Sequence, residues 1–431
     1  MSQPLNIAVA GLGTVGASTL KLLAQQAGLL ERRSGRPIRV VAVSARDRGR
    51  ERGVSLDGIQ WFDDPVAMAK SPNIDAVVEV IGGADGPAKA VCEAAIAAGR
   101  HVVTANKALL AHHGTALAAA AEKKGVVLAY EASVAGGIPI IKALREGLAA
   151  NNVKRVYGIL NGTCNYILTN MRASRRDFGE VLAEAQKLGY AEADPSFDVD
   201  GVDTAHKLAI LTAVAFGCQV NFAGIRIEGI RPVSALDIAF ADELGYRIKL
   251  LGLARLTKWG VEQRVHPCLV PVGTPIAHVE GVFNAVVAET DFAETNVFEG
   301  RGAGAGPTAS AIVADLVDIA RGIRTPTFAV PAAHLANLPA SPMERHQGCY
   351  YIRLMVRDRP GVMADITAAL RDEQVSLESM LQRGRDPGEV VPVVLVTHET
   401  EEAAMARALA KIARLDTVVE APCMIRIEEL S

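Results

Sequence analysis

The sequence predicts an α/β protein in three parts: a Rossmann-type doubly wound parallel sheet, a second α/β domain, and a C-terminal ferredoxin-like βαββαβ domain. Three observations carry that reading. A short apolar run near the N-terminus, "NIAVA", leads into "GLGTVG" and then into a helical pattern. Strand-like and helix-like stretches then alternate, which implies parallel strands with helices on both faces. After the proline-containing stretch "PTFAVPAAHLANLPASPMERHQG" the order becomes strand, helix, strand, strand, helix, strand. The expected limits are 1–135, 136–330, a linker at 331–348, and 349–431.

A chain of 431 residues, half of them hydrophobic, has room for two or three domains with large cores. Charged residues make up 22% and the net charge is −3, so there is no electrostatic case for a nucleic acid or an anionic membrane as partner. The apolar run "LAILTAVAFG" stops at Gly217 and is followed by Gln219 and Asn221, short of a bilayer span. "MSQPLNIAVAGLG" lacks the basic region of a signal peptide, and the expected location is cytoplasmic. Six cysteines (92, 164, 218, 268, 349, 423) form no C-x-x-C pair and none has a histidine at zinc spacing, so reduced thiols in or near the core are expected.

In the first domain Gly11, Gly13 and Gly16 match G-x-G-x-x-G, with Thr14 and Val15 at the start of the following helix. The first glycine permits the tight turn, the second lets backbone approach a pyrophosphate, and the third lets helix pack on strand. The diphosphate is expected at the helix N-terminus, where free N–H groups and the helix dipole attract anions. The second strand, "PIRVVAVSARDRGRERG", ends in Ser44 and Ala45 where an acidic residue would bind the ribose of NAD. Arg46, Arg48 and Arg50 follow. Arginine suits a 2′-phosphate, so NADP(H) is expected with Arg46 as its contact, NAD remaining possible; a solvated basic loop is the alternative. Ligands of such sheets sit at the carboxyl ends of the strands. That brings Gly82 (in "IDAVVEVIGG"), Lys107 (after "VVTAN") and residues 135–138 close to the ligand.

The densest chemistry lies in "YAEADPSFDVDGVDTAHKLAI". Glu192, Asp194, Asp198, Asp200 and Asp203 precede a single lysine, Lys207, and then an almost wholly apolar run. Residues 178–188 read as a helix stopped by Gly189, and 190–199 as a loop. A second helix is expected from about residue 200. Asp203 and Lys207, four apart, share one face at about 6 Å. A helix apolar nearly all round is buried, and a lysine at its mouth must be paired or lose its charge. The acids can hold that ammonium charged and grip a cationic substrate; a helix start enriched in acids for its dipole is the alternative.

These stretches resemble homoserine dehydrogenases. "AGLGTVG", "VVTANK", "YEASVAGGIPII", "GILNGTCNYILT", "LGYAEADPSFDVDGVDTAHKLAIL" and "GRGAGAGPTASAIVADL" run in the family's order. The resemblance implies reduction of L-aspartate 4-semialdehyde to L-homoserine with NAD(P)H, on the route to threonine, isoleucine and methionine. It implies that Glu192 binds the substrate amino group, with Asp198 joining the grip. Asp203 would position the reactive group, Lys207 would donate the proton, and Lys107 would stand at the cofactor–substrate junction as a competitor for that role. Gly302, in "GRGAG", would return to the cofactor, bringing the chain back to the first domain near 300–320. The "YEASVAGGI" turn would hold a monovalent cation, sodium or potassium, through mainly backbone carbonyls of Glu131, Val134, Gly136 and Ile138. The middle domain would then be a catalytic and dimerisation domain, giving a homodimer or homotetramer. Cys164 stands where many relatives carry threonine.

The C-terminal unit resembles an ACT domain, an amino-acid-sensing module, with "VRDRPGVMADIT" placing Gly361 at the start of its first helix. Threonine is the family-typical effector; a module that only dimerises is the alternative. Two other functions fit less well. A non-catalytic amino-acid sensor would have no use for Lys107, Glu192, Asp203 and Lys207 together. A phosphorylating semialdehyde dehydrogenase needs an activated cysteine, and Cys164, the only cysteine close to a motif, lies inside a segment matched to the other family.

Overall fold

The computed structural model describes residues 3–383 and 388–430. Six parallel strands form the first sheet, in the spatial order Gln60–Phe62, Ile38–Ser44, Leu5–Ala10, Ala76–Glu79, His101–Thr104, Leu128–Ala129. Chain order reverses between Leu5–Ala10 and Ala76–Glu79, and the crevice at that switch opens over the glycine motif. Helix Ala305–Arg321 comes from far along the chain yet packs on helix Thr14–Gln25, with Ile312 and Leu316 sharing a buried cluster with Leu20 and Leu23.

The stretch "VVLAYEASVAGGIPII", which reads as a strand followed by a glycine-rich turn, keeps only the two-residue strand Leu128–Ala129 before the turn. Beyond it the backbone turns through Glu131–Ser133 and into the helical segment from Ile140, so an apolar run became a buried irregular turn. The 190–199 loop likewise contains a single helical turn, Ser196–Val199.

A second sheet of eleven strands runs, along its main path, Thr295–Arg301, Phe283–Thr290, Val153–Ile159, Tyr246–Thr257, Gly260–Pro271, Cys423–Ile427, Gln347–Arg357, Val390–Thr397, Leu377–Gln382. The last four belong to the βαββαβ unit, which carries an extra short strand, Thr400–Glu401. The unit is therefore continuous with the middle sheet, joined where Cys268 and Leu269 pair in parallel with Arg426 and Ile427. The stretch expected as a linker is also bonded to the body: Val261 N–H donates to Pro339 O and Ala336 N–H to Gly217 O.

Helix Val202–Phe216 is enclosed between the second sheet and helix Lys107–Lys123 of the first domain, and is buried from Asp203 to Val214. Each large apolar side chain so enclosed contributes about 1.5–3 kcal/mol, which fixes the helix and hence the charged residues of its first turn. Among the described residues no helix is long and apolar enough to cross a membrane.

Candidate active site

Gly11 has φ +102°, and a Cβ there would lie 2.6 Å from the Val80 carbonyl oxygen. A Cβ at Gly16 would lie 2.0 Å from the Gly11 carbonyl oxygen, so the turn and the helix close on one another. At Gly13 a Cβ would meet nothing within 4 Å, leaving open space over the helix start. Helix Thr14–Gln25 has no side-chain cap and no acid in its first turn, so its leading N–H groups suit an anion. Arg46 is exposed, with no hydrogen bond or ion pair among the described residues. Sequence reasoning missed Arg52, whose Nε donates to the Leu12 carbonyl at 3.3 Å and whose guanidinium also bonds the carbonyls of Asp47 and Arg50. It ties the basic loop to the glycine turn.

Glu79 was also missed. Fully buried at the end of its strand, it accepts from Ile81 N–H (2.8 Å), Gly82 N–H (3.1 Å) and Thr104 Oγ1 (2.6 Å). It thereby shapes the turn at Gly82, whose φ is +88°. Asn106 caps the next helix through Leu109 N–H and donates to the Gly83 carbonyl, which sets Lys107 as the first residue of helix Lys107–Lys123.

Two lysines converge on one carboxylate. Lys107 Nζ lies 3.0 Å from Asp203 Oδ1 and Lys207 Nζ 2.8 Å from Asp203 Oδ2. Lys207 also donates to the Leu160 carbonyl at 2.6 Å. Asn161, a third residue missed from sequence, donates from Nδ2 to both Asp203 Oδ2 and Asp198 Oδ1, each at 2.8 Å. Burial pushes the Asp203 carboxyl up, but the two ammonium groups and the hydrogen bonds from Lys207 and Asn161 outweigh it and hold the group well below the carboxylate range. Asp198 is raised, by burial and by the nearby Asp203 charge. Glu192 is exposed, and its carboxylate makes no ion pair among the described residues. Asp194 accepts from Ser196 N–H and Asp200 pairs with Arg231, so only Asp203 of the five acids lies in the first turn of the buried helix. Feeding the helix dipole does not explain the cluster.

An aromatic wall flanks the lysines. Phe197 lies 5.6 Å below the Lys107 ammonium and 5.5 Å from the His206 ring, which stacks on Phe222 at 4.6 Å and meets His112 edge-on. Burial and the neighbouring His112 lower His206 to about 4, so it is an uncharged aromatic ring at pH 7. Cys164 Sγ donates to the Asp198 carbonyl at 3.3 Å; burial raises its pKa further than the nearby acids do, so it is a protonated strut and no nucleophile.

Glu131, Val134, Gly136 and Ile138 all lie in the buried turn that follows Ala129. The Glu131 carboxylate accepts from Ile141 and Lys142 N–H, each at 2.9 Å, and its own N–H donates to Asp315. Burial first, then the Asp315 charge, raise Glu131 to about 7. A Cβ at Gly136 would lie 2.5 Å from the Gly302 carbonyl oxygen, so this turn packs backbone to backbone on the segment carrying Gly302. A separate buried trio, His266, Cys268 and Glu428, has metal-like spacing. Arg264 Nη1 bonds both His266 and Glu428, so a guanidinium already holds that place.

Known families and solved structures match this chain along its length. A family model described as homoserine dehydrogenase matches residues 139–317, one described as homoserine dehydrogenase, NAD binding domain, matches 11–131, and one described as ACT domain matches 350–414. A homoserine dehydrogenase of Neisseria gonorrhoeae is 45% identical over 99% of this chain and 99% of its own. A homoserine dehydrogenase from Thiobacillus denitrificans superposes with a TM-score of 0.94 at 47% identity, covering 100% of this chain and 99% of that one. A hyperthermophilic archaeal homoserine dehydrogenase in complex with NADPH superposes with a TM-score of 0.64 at 25% identity, over 75% of this chain and 100% of its own.

Proposed function

The chain belongs to the homoserine dehydrogenase family, and from that premise we propose how its own residues divide the work. It is an NAD(P)-dependent oxidoreductase acting between L-aspartate 4-semialdehyde and L-homoserine. The observation that carries the division is the single buried carboxylate of Asp203 shared between two ammonium groups. When bound, the reduced nicotinamide supplies a hydride to the aldehyde carbon. Negative charge then grows on the carbonyl oxygen. Lys207 stabilises that charge and delivers the proton. Asp203 pairs with the Lys207 side chain and aims it, and Lys107 stands on the other carboxylate oxygen at the more open side. Asp198, held by Asn161, and Glu192 receive the substrate ammonium. Phe197 and the uncharged His206 give that side of the crevice an aromatic wall without charge.

Gly11, Gly13, Thr14, Val15 and Gly16 would hold the diphosphate, with Gly82, Lys107 and Gly302 near the remainder of the dinucleotide. NADP is the preferred form, through Arg46; its free, exposed guanidinium supports this. The buried turn at Glu131, Val134, Gly136 and Ile138 fits sodium or potassium, because an irregular backbone offers hard carbonyl oxygens there and Gly136 leaves no room for a side chain. The ion would fix the turn against Gly302. Threonine is the proposed effector of the ACT domain, the enzyme a homodimer or homotetramer, and its location the cytoplasm.

The test is oxidation of NADPH and of NADH with aspartate semialdehyde, with and without threonine, in wild type and in Arg46→Ala. NADPH should be preferred, and R46A should raise its KM about ten- to hundredfold while sparing NADH, as loss of one charge-assisted contact of about 1.5–3 kcal/mol requires. Equal effects on the two nucleotides would remove Arg46 from the site. No calorimetric binding of millimolar threonine would remove the effector.

A further inference from the structure

The substrate loop is clamped from its outer side by one short strap, residues 226–231. Ile230 N–H donates to the Val199 carbonyl at 2.9 Å. A Cβ at Gly229 would lie 2.4 Å from the same carbonyl oxygen, so the two backbones touch directly. Arg231 brackets the loop, with Nε 2.5 Å from Asp200 Oδ1 and Nη2 3.1 Å from Ser196 Oγ. Asp198, between those anchors, is the residue that Asn161 ties to Asp203.

The strap is itself held at two points. One is in the middle sheet, where Arg226 and Ile227 pair with Arg264 and Val265, and Glu228 N–H donates to the Val265 carbonyl at 2.7 Å. The other is in the C-terminal domain. Arg426, in strand Cys423–Ile427, grips the Glu228 carboxylate with two nitrogens at 2.8 and 3.2 Å. The same buried guanidinium bonds Glu402 of helix Glu402–Ile412, which Tyr350 also bonds. Glu228 has one other charged partner among the described residues, the exposed Arg226 at 3.2 Å on its own strap. Without Arg426 the carboxylate turns toward that neighbour and the strap loses its outer fastening.

We propose that Arg426 of the ACT domain is a positioning residue for the substrate loop, acting through Glu228 and the strap on the placement of Asp198. The inference rests on the reading that this loop binds the amino acid substrate. It makes substrate affinity depend on how the C-terminal domain is docked, while the nucleotide crevice on the other side of the buried helix is left alone.

The experiment compares the full-length wild type with Glu228→Gln, Arg426→Lys and Asp198→Asn, measuring KM for aspartate semialdehyde and for NADPH, kcat, and thermal melting. E228Q keeps the shape and loses the charge. It should raise the semialdehyde KM about five- to twentyfold and leave the NADPH KM within about twofold. R426K keeps the charge, loses the two-pronged grip and should fall between E228Q and wild type. Adding R426K to E228Q should raise KM little further, since both break one link. Parallel rises in both KM values, or a lower melting temperature with both unchanged, overturn the proposal. Should E228Q fail to fold, R426K decides alone: a semialdehyde-selective rise supports the link and its absence refutes it. D198N separates the two levels. If it leaves the semialdehyde KM unchanged, the loop reading itself is wrong; if it raises KM and E228Q does not, only the role of Arg426 falls.

Discussion

Asp203 gives one oxygen to each of two lysines, and that sharing differentiates them. Lys207 spends two of its three N–H groups on Asp203 and the Leu160 carbonyl, leaving one to meet a substrate oxygen. Lys107 is more open, its side chain 34% exposed against 9%. Lys207→Ala should therefore cut kcat about 10²–10⁴-fold with little change in NADPH KM, while Lys107→Ala loses less; steady-state rates on the two variants decide, and near-normal turnover in K207A would hand the proton to Lys107 or to water. Asp203 has a depressed pKa, so its stabilising contribution is present above the unfolded carboxylate range and is lost as pH falls through the lower folded value. Glu131 has the opposite sign. Raised to about 7 from 4.5, it stabilises the fold fully below the unfolded value, and that contribution disappears as pH rises through about 7. Wild type should lose melting temperature over that window and Glu131→Gln should not; sodium or potassium should restore the wild type above it if the turn takes a cation.

At the scale of elements, the turn 134–138 and the segment at Gly302 meet without side chains between them. Gly136→Ala combines φ +52° with a Cβ 2.5 Å from the Gly302 carbonyl oxygen. The backbones must separate, at a cost of about 1–3 kcal/mol. Chemical denaturation should show the loss, and NADPH KM should rise if Gly302 borders the cofactor. The sequence made helix Val202–Phe216 legible, because a helix apolar nearly all round beyond Lys207 declares its burial and the i, i+4 spacing puts Asp203 beside Lys207. It also made the glycine turn legible, since strand, G-x-G-x-x-G and helix sit in one short window. Asn161, Glu79 and Arg52 were not legible. Asn161 meets Asp203 across 42 residues and Arg52 meets Leu12 across 40. Glu79 is a buried acid whose partners are backbone N–H groups and a threonine, which no local spacing announces. The strand at Leu128–Ala129 is shorter than its apolar run suggests, because such a run looks the same in a strand and in a buried turn.

For the whole molecule, the joint between the middle sheet and the βαββαβ unit is short in backbone pairing and rich in buried charge. Arg264, 2% exposed, lies between Glu262 and Glu428, and His266 Nε2 contacts it at 2.8 Å. Glu428→Ala leaves that guanidinium with less compensation and should cost about 3–5 kcal/mol by chemical denaturation. Glu428→Gln, which keeps an acceptor, should cost less. Composition and strand order announced the C-terminal unit as a module behind a linker. The parallel pairing of Cys268 and Leu269 with Arg426 and Ile427 was invisible, because pairing between distant strands leaves no periodic trace in either. That seam has a consequence for anyone wishing to retune the enzyme's metabolic control. Transplanting a foreign regulatory module at residue 340 would leave an unmatched edge on Gly260–Pro271 and strip Arg264 of Glu428 and Glu228 of Arg426. A viable chimaera has to import the recipient surface, residues 226–231 and 260–271, along with the graft.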